Sequence, residues 1–225
     1  MKLNPVRLPA WALLWAALAS LCLSVRGAVP AFVWLEGESA KTTFKTTIGD
    51  WGRPQYLSDG KWLHVSVEED KVEKEVPEAG ILLEYTFQSP KTARYQVWDR
   101  VGFEFVRSPF EWRIDEAPWK KSVPEDLTTD LMEMGFWCEV AWLKLGEEAV
   151  TEGPHRLQIR LPKTKNDKGK WQRVLYASDA LCLHEGPFHP NSKFKPGESG
   201  RTPADLAAEQ VVFQLRDTTP GQRAQ

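Results

Sequence analysis

Two carboxylates stand two residues apart at the end of the first apolar stretch, Val33-Trp34-Leu35-Glu36-Gly37-Glu38. In an extended backbone, residues i and i+2 face the same way, so Glu36 and Glu38 project together. Like charges held side by side cost energy unless a cation lies between them. Calcium would suit, because it gathers carboxylate and carbonyl oxygens. A basic side chain would also suit, with Lys41 and Lys45 close in sequence. The residues alone leave both open.

Other chemistry is sparse. The chain has four histidines, His64, His155, His184 and His189, and none sits in a nucleophile motif. There is no Gly-x-Ser-x-Gly, no phosphate-cradling glycine loop and no His-Glu-x-x-His. Glu125, Asp126, Asp130 and Glu133 crowd together, and a glycosidase needs only two carboxylates. Read as the solvated side of a helix, they do no chemistry. The expectation is a protein that is not an enzyme. Cys138 and Cys182 have no histidine at zinc spacing. They read either as a disulfide or as two buried thiols, and their Cα separation decides which.

Tryptophan is the unusual component, at 11 residues. Nine lie beyond the N-terminal segment discussed below, more than one sandwich core needs. Trp98, Trp112 and Trp142 alternate with polar neighbours inside strands and read as core, as do Trp34 and Trp62. The rest are candidates for a binding surface.

The elements that position these residues are mostly strands. Residues 32–37 form the first, and Leu57-Ser58-Asp59-Gly60 is a turn before a strand at 62–67. Glu68 to Glu78 is a charge run with Pro77, read as a solvated loop. Ile81, Leu83, Tyr85 and Phe87 alternate with Leu82, Glu84, Thr86 and Gln88, a half-buried strand. Further strands fall at 95–101, 110–115, 136–145, 156–161 and 171–184. In the stretch 136–145, Cys138, Val140 and Trp142 share a face. Residues 123–134 have the one internal helical pattern, with Leu127, Leu131 and Met134 on one side. Strands separated by turn signals, with almost no helix, predict an all-β antiparallel sandwich. A domain over 28–184 is followed by a Gly- and Pro-rich linker, then a short C-terminal helix from the Thr202-Pro203 cap to about Leu215, and then a disordered tail to residue 225.

The first 27 residues read as a secretory signal: a basic start with Lys2 and Arg7, an apolar run from Trp11, and cleavage after Gly27. The protein is then secreted or periplasmic, with no membrane attachment after cleavage. Cleavage removes Lys2, Arg7 and Arg26 and no acid, leaving a net charge of about −5. That argues against a nucleic-acid partner.

One ordered set of segments points to a family. It comprises Glu36-Gly37-Glu38, then Gly60-Lys61-Trp62, then Tyr85-Thr86-Phe87 with Ala93-Arg94-Tyr95-Gln96-Val97-Trp98, and finally Tyr176-Ala177-Ser178-Asp179-Ala180-Leu181-Cys182-Leu183. Over roughly residues 32–184 the chain resembles carbohydrate-binding modules of the family 6 and family 35 kind, within the galactose-binding-like jelly rolls. The resemblance implies a structural calcium held by Glu36, Glu38 and Asp179. It also implies a carbohydrate ligand on loops at one end of the sandwich, here 42–60, 103–109, 116–137 and 163–171. Pyranose faces stack on aromatic rings while polar groups bond the hydroxyls. The candidates on those loops are Trp51, Tyr56, Trp119, Trp137 and Trp171, with Asn166 and Asp167. Such modules often precede glycoside hydrolase domains, so a hydrolase is an implied partner.

Overall fold

The computed structural model describes residues 29–200 apart from 50, 51, 105, 106, 136 and 199. The signal segment, the C-terminal helix and Trp51 lie outside the described residues. In order, the elements are β1 (Phe32–Glu36), β2 (Thr47–Gly49), β3 (Trp62–Val67), α1 (Glu69–Glu75), β4 (Ile81–Ser89), β5 (Ala93–Glu104), β6 (Phe110–Ile114), β7 (Lys120–Ser122), β8 (Thr128–Gly135), β9 (Cys138–Val150), β10 (Gly153–Leu161) and β11 (Val174–Glu185).

The strands make two antiparallel sheets, the all-β sandwich that the alternation predicts. The larger runs β2-β3-β11-β5-β9-β8, with β1 also on β11, and the smaller runs β4-β10-β6-β7. Facing residues fill the space between them. Leu83, Tyr85, Trp112, Leu157 and Ile159 of the smaller sheet meet Val65, Tyr95, Val97, Leu143, Leu181 and Leu183 of the larger. Each such side chain contributes about 1.5–3 kcal/mol by leaving water.

β11 is the axis of the larger sheet. Its first half pairs with β3 and its second half with β1, so those two strands sit end to end along one edge. β5 covers the other edge, with a bulge between Ser178 and Ala180. Covered on both faces, β11 is buried along nearly its whole length, which is why its sequence is a near-continuous apolar run.

Two segments differ from their sequence reading. The charge run is not a loop throughout: Glu69–Glu75 is helical, with Val72 and then Val76 entering the core. Glu69 and Asp70 in the first turn and Lys74 in the last complement the helix dipole. One buried residue in about two turns leaves no periodicity to detect. The helix expected at 123–134 is the strand β8. The long strand β9 offers it an open edge, and pairing there satisfies the N–H and C=O groups of that edge, which a helix would leave without backbone partners. Met134 is buried, whereas Leu127 and Leu131 are 92% and 55% exposed.

The outer face of the larger sheet is not bare. Residues 186–198, read as a linker, lie across it. Phe188 packs edge-on to Trp98 and Trp142 at 5.6 and 5.2 Å between centroids, and Trp34 meets Trp142 at 5.6 Å. Trp142 Nε1 donates to Ser192 O at 2.8 Å, and Phe188 N donates to Gln96 at 3.1 Å. Ser192 N also donates to Asp130. Of the tryptophans read as core, Trp112 lies between the sheets, while Trp98, Trp142 and Trp34 belong to this outer layer. Trp62 joins a further outer cluster with Leu57, Met134 and Val140.

Candidate functional site

Two places hold the residues singled out above. The first is the junction where β1 ends, β3 begins and β11 bulges. Gly37 separates the two glutamates for a steric reason: a Cβ there would lie 1.9 Å from the Ser178 carbonyl oxygen. Asp179, inside the bulge, is fully buried and paired with the equally buried Arg100 of β5, Nη1 to Oδ2 at 2.6 Å. Ser58 N donates to Asp179 Oδ1 at 2.8 Å, and Arg100 Nη1 also donates to Tyr56 O at 2.8 Å. Burial pushes the Asp179 carboxyl up to about 7 against the pull of Arg100.

The glutamates have other partners. Glu38 meets Lys61 at 3.4 Å, and burial raises its carboxyl despite that lysine. Glu36 Oε1 accepts from Trp34 Nε1 at 3.0 Å and faces Lys195 at 3.7 Å. Oε2 of each glutamate is buried without a partner, as are Nε and Nη2 of Arg100. The three carboxylates read together as a metal set are thus divided, with both oxygens of Asp179 engaged. Among the described residues no three His, Cys, Asp or Glu side chains converge as a metal site. The two orphan glutamate oxygens are the groups that fit a cation. Arg100 left no signal in the sequence, because only strand order and the bulge bring it to Asp179.

A second buried carboxylate lies nearby. Asp99 accepts from Tyr176 at 2.7 Å and from Ser178 at 2.8 Å. Burial lifts it to about 7, with those two hydrogen bonds pulling the other way.

The second place is a cleft of about 570 Å³ at the end of the sandwich where β5, β10 and β7 finish. Its walls come from the β5–β6 loop (Arg107, Ser108), the segment around β7 (Lys121, Glu125), the β10–β11 loop (Asn166, Trp171, Arg173), and Glu69 and Glu104. Three of the four loops expected to hold a ligand therefore contribute, and 42–60 does not. Arg107 fastens two walls together, its Nη2 donating to the carbonyls of Pro124 and Asp126. It is only 9% exposed, and burial lowers its pKa. Arg173 is held by Glu104 at 2.9 Å and by Ser66 at 2.9 Å. Asn166 Oδ1 caps its own loop, accepting from Lys168 N and Lys170 N at 3.0 Å each, so its NH₂ is the end left to donate. The half-buried Trp171 carries the amines of Lys165 and Lys163 at 4.2 and 5.3 Å from its ring centre.

The remaining sugar candidates scatter. Asp167 is exposed on the turn beside Asn166 and does not line the cleft. Tyr56 packs on the Leu57–Trp62 cluster. Trp119 lies on the outer face of the smaller sheet under Arg113 and Arg160, 4.4 and 4.1 Å from its ring centre. Trp137 is 78% exposed at the tip between β8 and β9. Reading for aromatics, with Asn166 and Asp167 as the polar candidates, missed Arg107, Lys121, Glu125 and Arg173, although the first three lie in the loops already marked and Arg173 lies just beside one.

Cys138 and Cys182 are free buried thiols. Cys138 sits opposite Glu104, and Cys182 opposite Trp98, on the two edges of β5. Six residues of strand, roughly 20 Å, separate those positions, too far for a disulfide. Burial raises Cys138 to about 12 and lifts Cys182 as well.

No protein-family model and no curated protein matches the chain. Solved structures resemble it at low identity. A GH26-CBM35 β-(1,4)-mannanase from Podospora anserina is 16% identical, with TM-score 0.42, over 83% of this chain and 34% of that one. A family two carbohydrate esterase from Cellvibrio japonicus is 12% identical, with TM-score 0.38, over 72% and 36%. A Paenibacillus xanthan lyase is 14% identical, with TM-score 0.45, over 71% and 14%. The chain thus spans about a third or less of the length of these proteins.

Proposed function

We propose that the protein is a secreted, non-catalytic carbohydrate-binding domain whose ligand lies in the cleft at the loop end. One observation carries this reading: a cleft of about 570 Å³, within the range of about 300–1,000 Å³ usual for ligand sites, with an indole wall and donors and acceptors around it. Trp171 supplies apolar surface for a pyranose face. Asn166, Lys121 and Glu125 supply hydrogen bonds to hydroxyls. Binding there would concentrate an associated glycoside hydrolase on its polysaccharide.

The test is binding to a panel of neutral and acidic glycans, with Glu125→Ala and Lys121→Ala as exposed cleft variants. Both variants weaken binding about fivefold or more while leaving the thermal midpoint in place. Absence of binding to every glycan sinks the reading, as does binding that neither variant alters. Release of reducing sugar by the protein would contradict the non-catalytic part.

A second reading, a sandwich that serves as a structural or protein-interaction domain, draws on one observation. The ring of Trp119 already lies under two arginine side chains. Binding of a protein ligand without any glycan would favour it.

For the junction, calcium is part of the proposal. The orphan oxygens of Glu36 and Glu38 would hold it, and Asp179 is left to Arg100. The ion would supply charge neutralisation that stabilises the meeting of β1 and β3. Thermal unfolding with and without chelator checks this. An unchanged midpoint in metal-free protein removes calcium from the account.

A further inference from the structure

Gly135 pairs with Cys138, so β8 turns into β9 through a two-residue connection whose second residue is Trp137. A two-residue hairpin that only reverses direction is made readily by Asn-Gly or Asp-Gly, because such turns need left-handed backbone. Here the second position is a tryptophan, at φ 64°. A bulky side chain in that region is disfavoured by contact with its own backbone. Its ring gains nothing from burial either, being 78% exposed. A residue that costs backbone energy and stays in water is explained by what its side chain meets outside the protein.

The position says what that is. Cys138, the next residue, pairs across the sheet with Glu104, and Glu104 lines the cleft. The turn that carries Trp137 thus stands at the same end of the sandwich as the cleft, next to the end of β5 that supplies Glu104 to its wall, and Trp137 itself is not part of the lining. Gly135 at the base of the turn has open space around it. A flat aromatic surface beside a cleft able to hold sugar matches a ligand longer than the cleft.

We propose that Trp137 is an outer stacking platform for a glycan chain that runs out of the cleft, so that the domain recognises a polymer by length and not a single terminal sugar. This rests on the cleft reading above. Each added contact acts only once the chain is long enough to reach it, so short oligosaccharides do not sense Trp137.

The experiment compares Trp137→Gly, which suits the left-handed turn, and Trp137→Tyr, which keeps a stacking surface, with the native protein. Probes are soluble xylan, galactomannan, mixed-linkage glucan and polygalacturonate. They are followed by oligosaccharides of increasing length cut from whichever binds, measured by calorimetry. Trp137→Gly weakens the polysaccharide and the longest oligosaccharides by about tenfold. It leaves the shortest binding oligosaccharide unchanged, and Trp137→Tyr restores most of the loss. Equal effects at every length overturn the proposal, as does no effect at any length, while the cleft reading survives. If the native protein binds none of the probes, this proposal and the cleft reading fall together. Trp137-dependent binding to phosphatidylcholine vesicles, with polysaccharide affinity unchanged, assigns the indole to a lipid surface and overturns it too.

Discussion

Replacing Arg100 by methionine tests the junction most directly. Arg100 and Asp179 are both fully buried, and the guanidinium is the charge partner of Asp179 at 2.6 Å. Removing it leaves a buried carboxylate with one strong donor, Ser58 N. Breaking one side of a buried pair costs about 3–5 kcal/mol. For a domain of this size each kcal/mol moves the thermal midpoint by roughly 2–4 °C, so a fall of about 10 °C is expected. The pH dependence carries a second signature. Without Arg100 the Asp179 carboxyl rises further, so the folded state keeps a proton that the unfolded chain releases. Stability then falls by up to about 1.4 kcal/mol for each unit of rising pH, and the fall extends further into the alkaline range than in the native protein. Exchanging both partners, Arg100→Met with Asp179→Leu, removes the stranded charge and recovers most of the loss. Urea unfolding followed by tryptophan fluorescence at several pH values between 5 and 9 measures all of this. A single variant that loses under about 1 kcal/mol at pH 8, or a double variant no better than the single, would refute the reasoning.

Three further outcomes follow. Asp99 and Asp179 are both raised to about 7 by burial. Their contribution to stability is therefore full below the usual carboxylate range and is lost as pH rises through 7; the native protein unfolds at lower urea at pH 8 than at pH 5, and Asp99→Asn flattens that slope. Phe188 is 7% exposed among Trp98, Trp142 and His184, so Phe188→Ala costs about 3 kcal/mol or more in chemical unfolding. A loss of only a few tenths would mean that residues 186–198 contribute little to stability. Cys138 and Cys182 stay unreactive toward a thiol reagent in native buffer and both titrate once urea unfolds the chain. Fast labelling of either without urea would contradict their burial.

Several parts of this architecture were legible because they depend on local pattern. Period-two alternation in 81–88, 110–115 and 156–161 marks strands whose two faces meet different surroundings, and that contrast is written residue by residue. The near-continuous apolar run of β11 is legible as well, since both its faces are covered. The helix at Glu69–Glu75 was not, because it buries one valine in seven residues. At 123–134 the spacing of Leu127, Leu131 and Met134 favoured a helix, and the open edge of β9 overrode it.

The sequence by itself determined an all-β chain, the acidic pair at the end of its first strand, and the loops that border the cleft. Those follow from side-chain type and spacing along one strand. Tertiary structure decided which partners those residues have. Asp179 meets Arg100, far away in sequence, because β5 and β11 are neighbours and β11 bulges between them. Trp98 and Trp142 face outward under Phe188 because the larger sheet is covered on both sides, a fact that alternation cannot distinguish from a single buried face. The cleft takes its charged walls from loops distant in sequence that converge only once strand order is set, since no local pattern records which loop ends share one side of a sandwich.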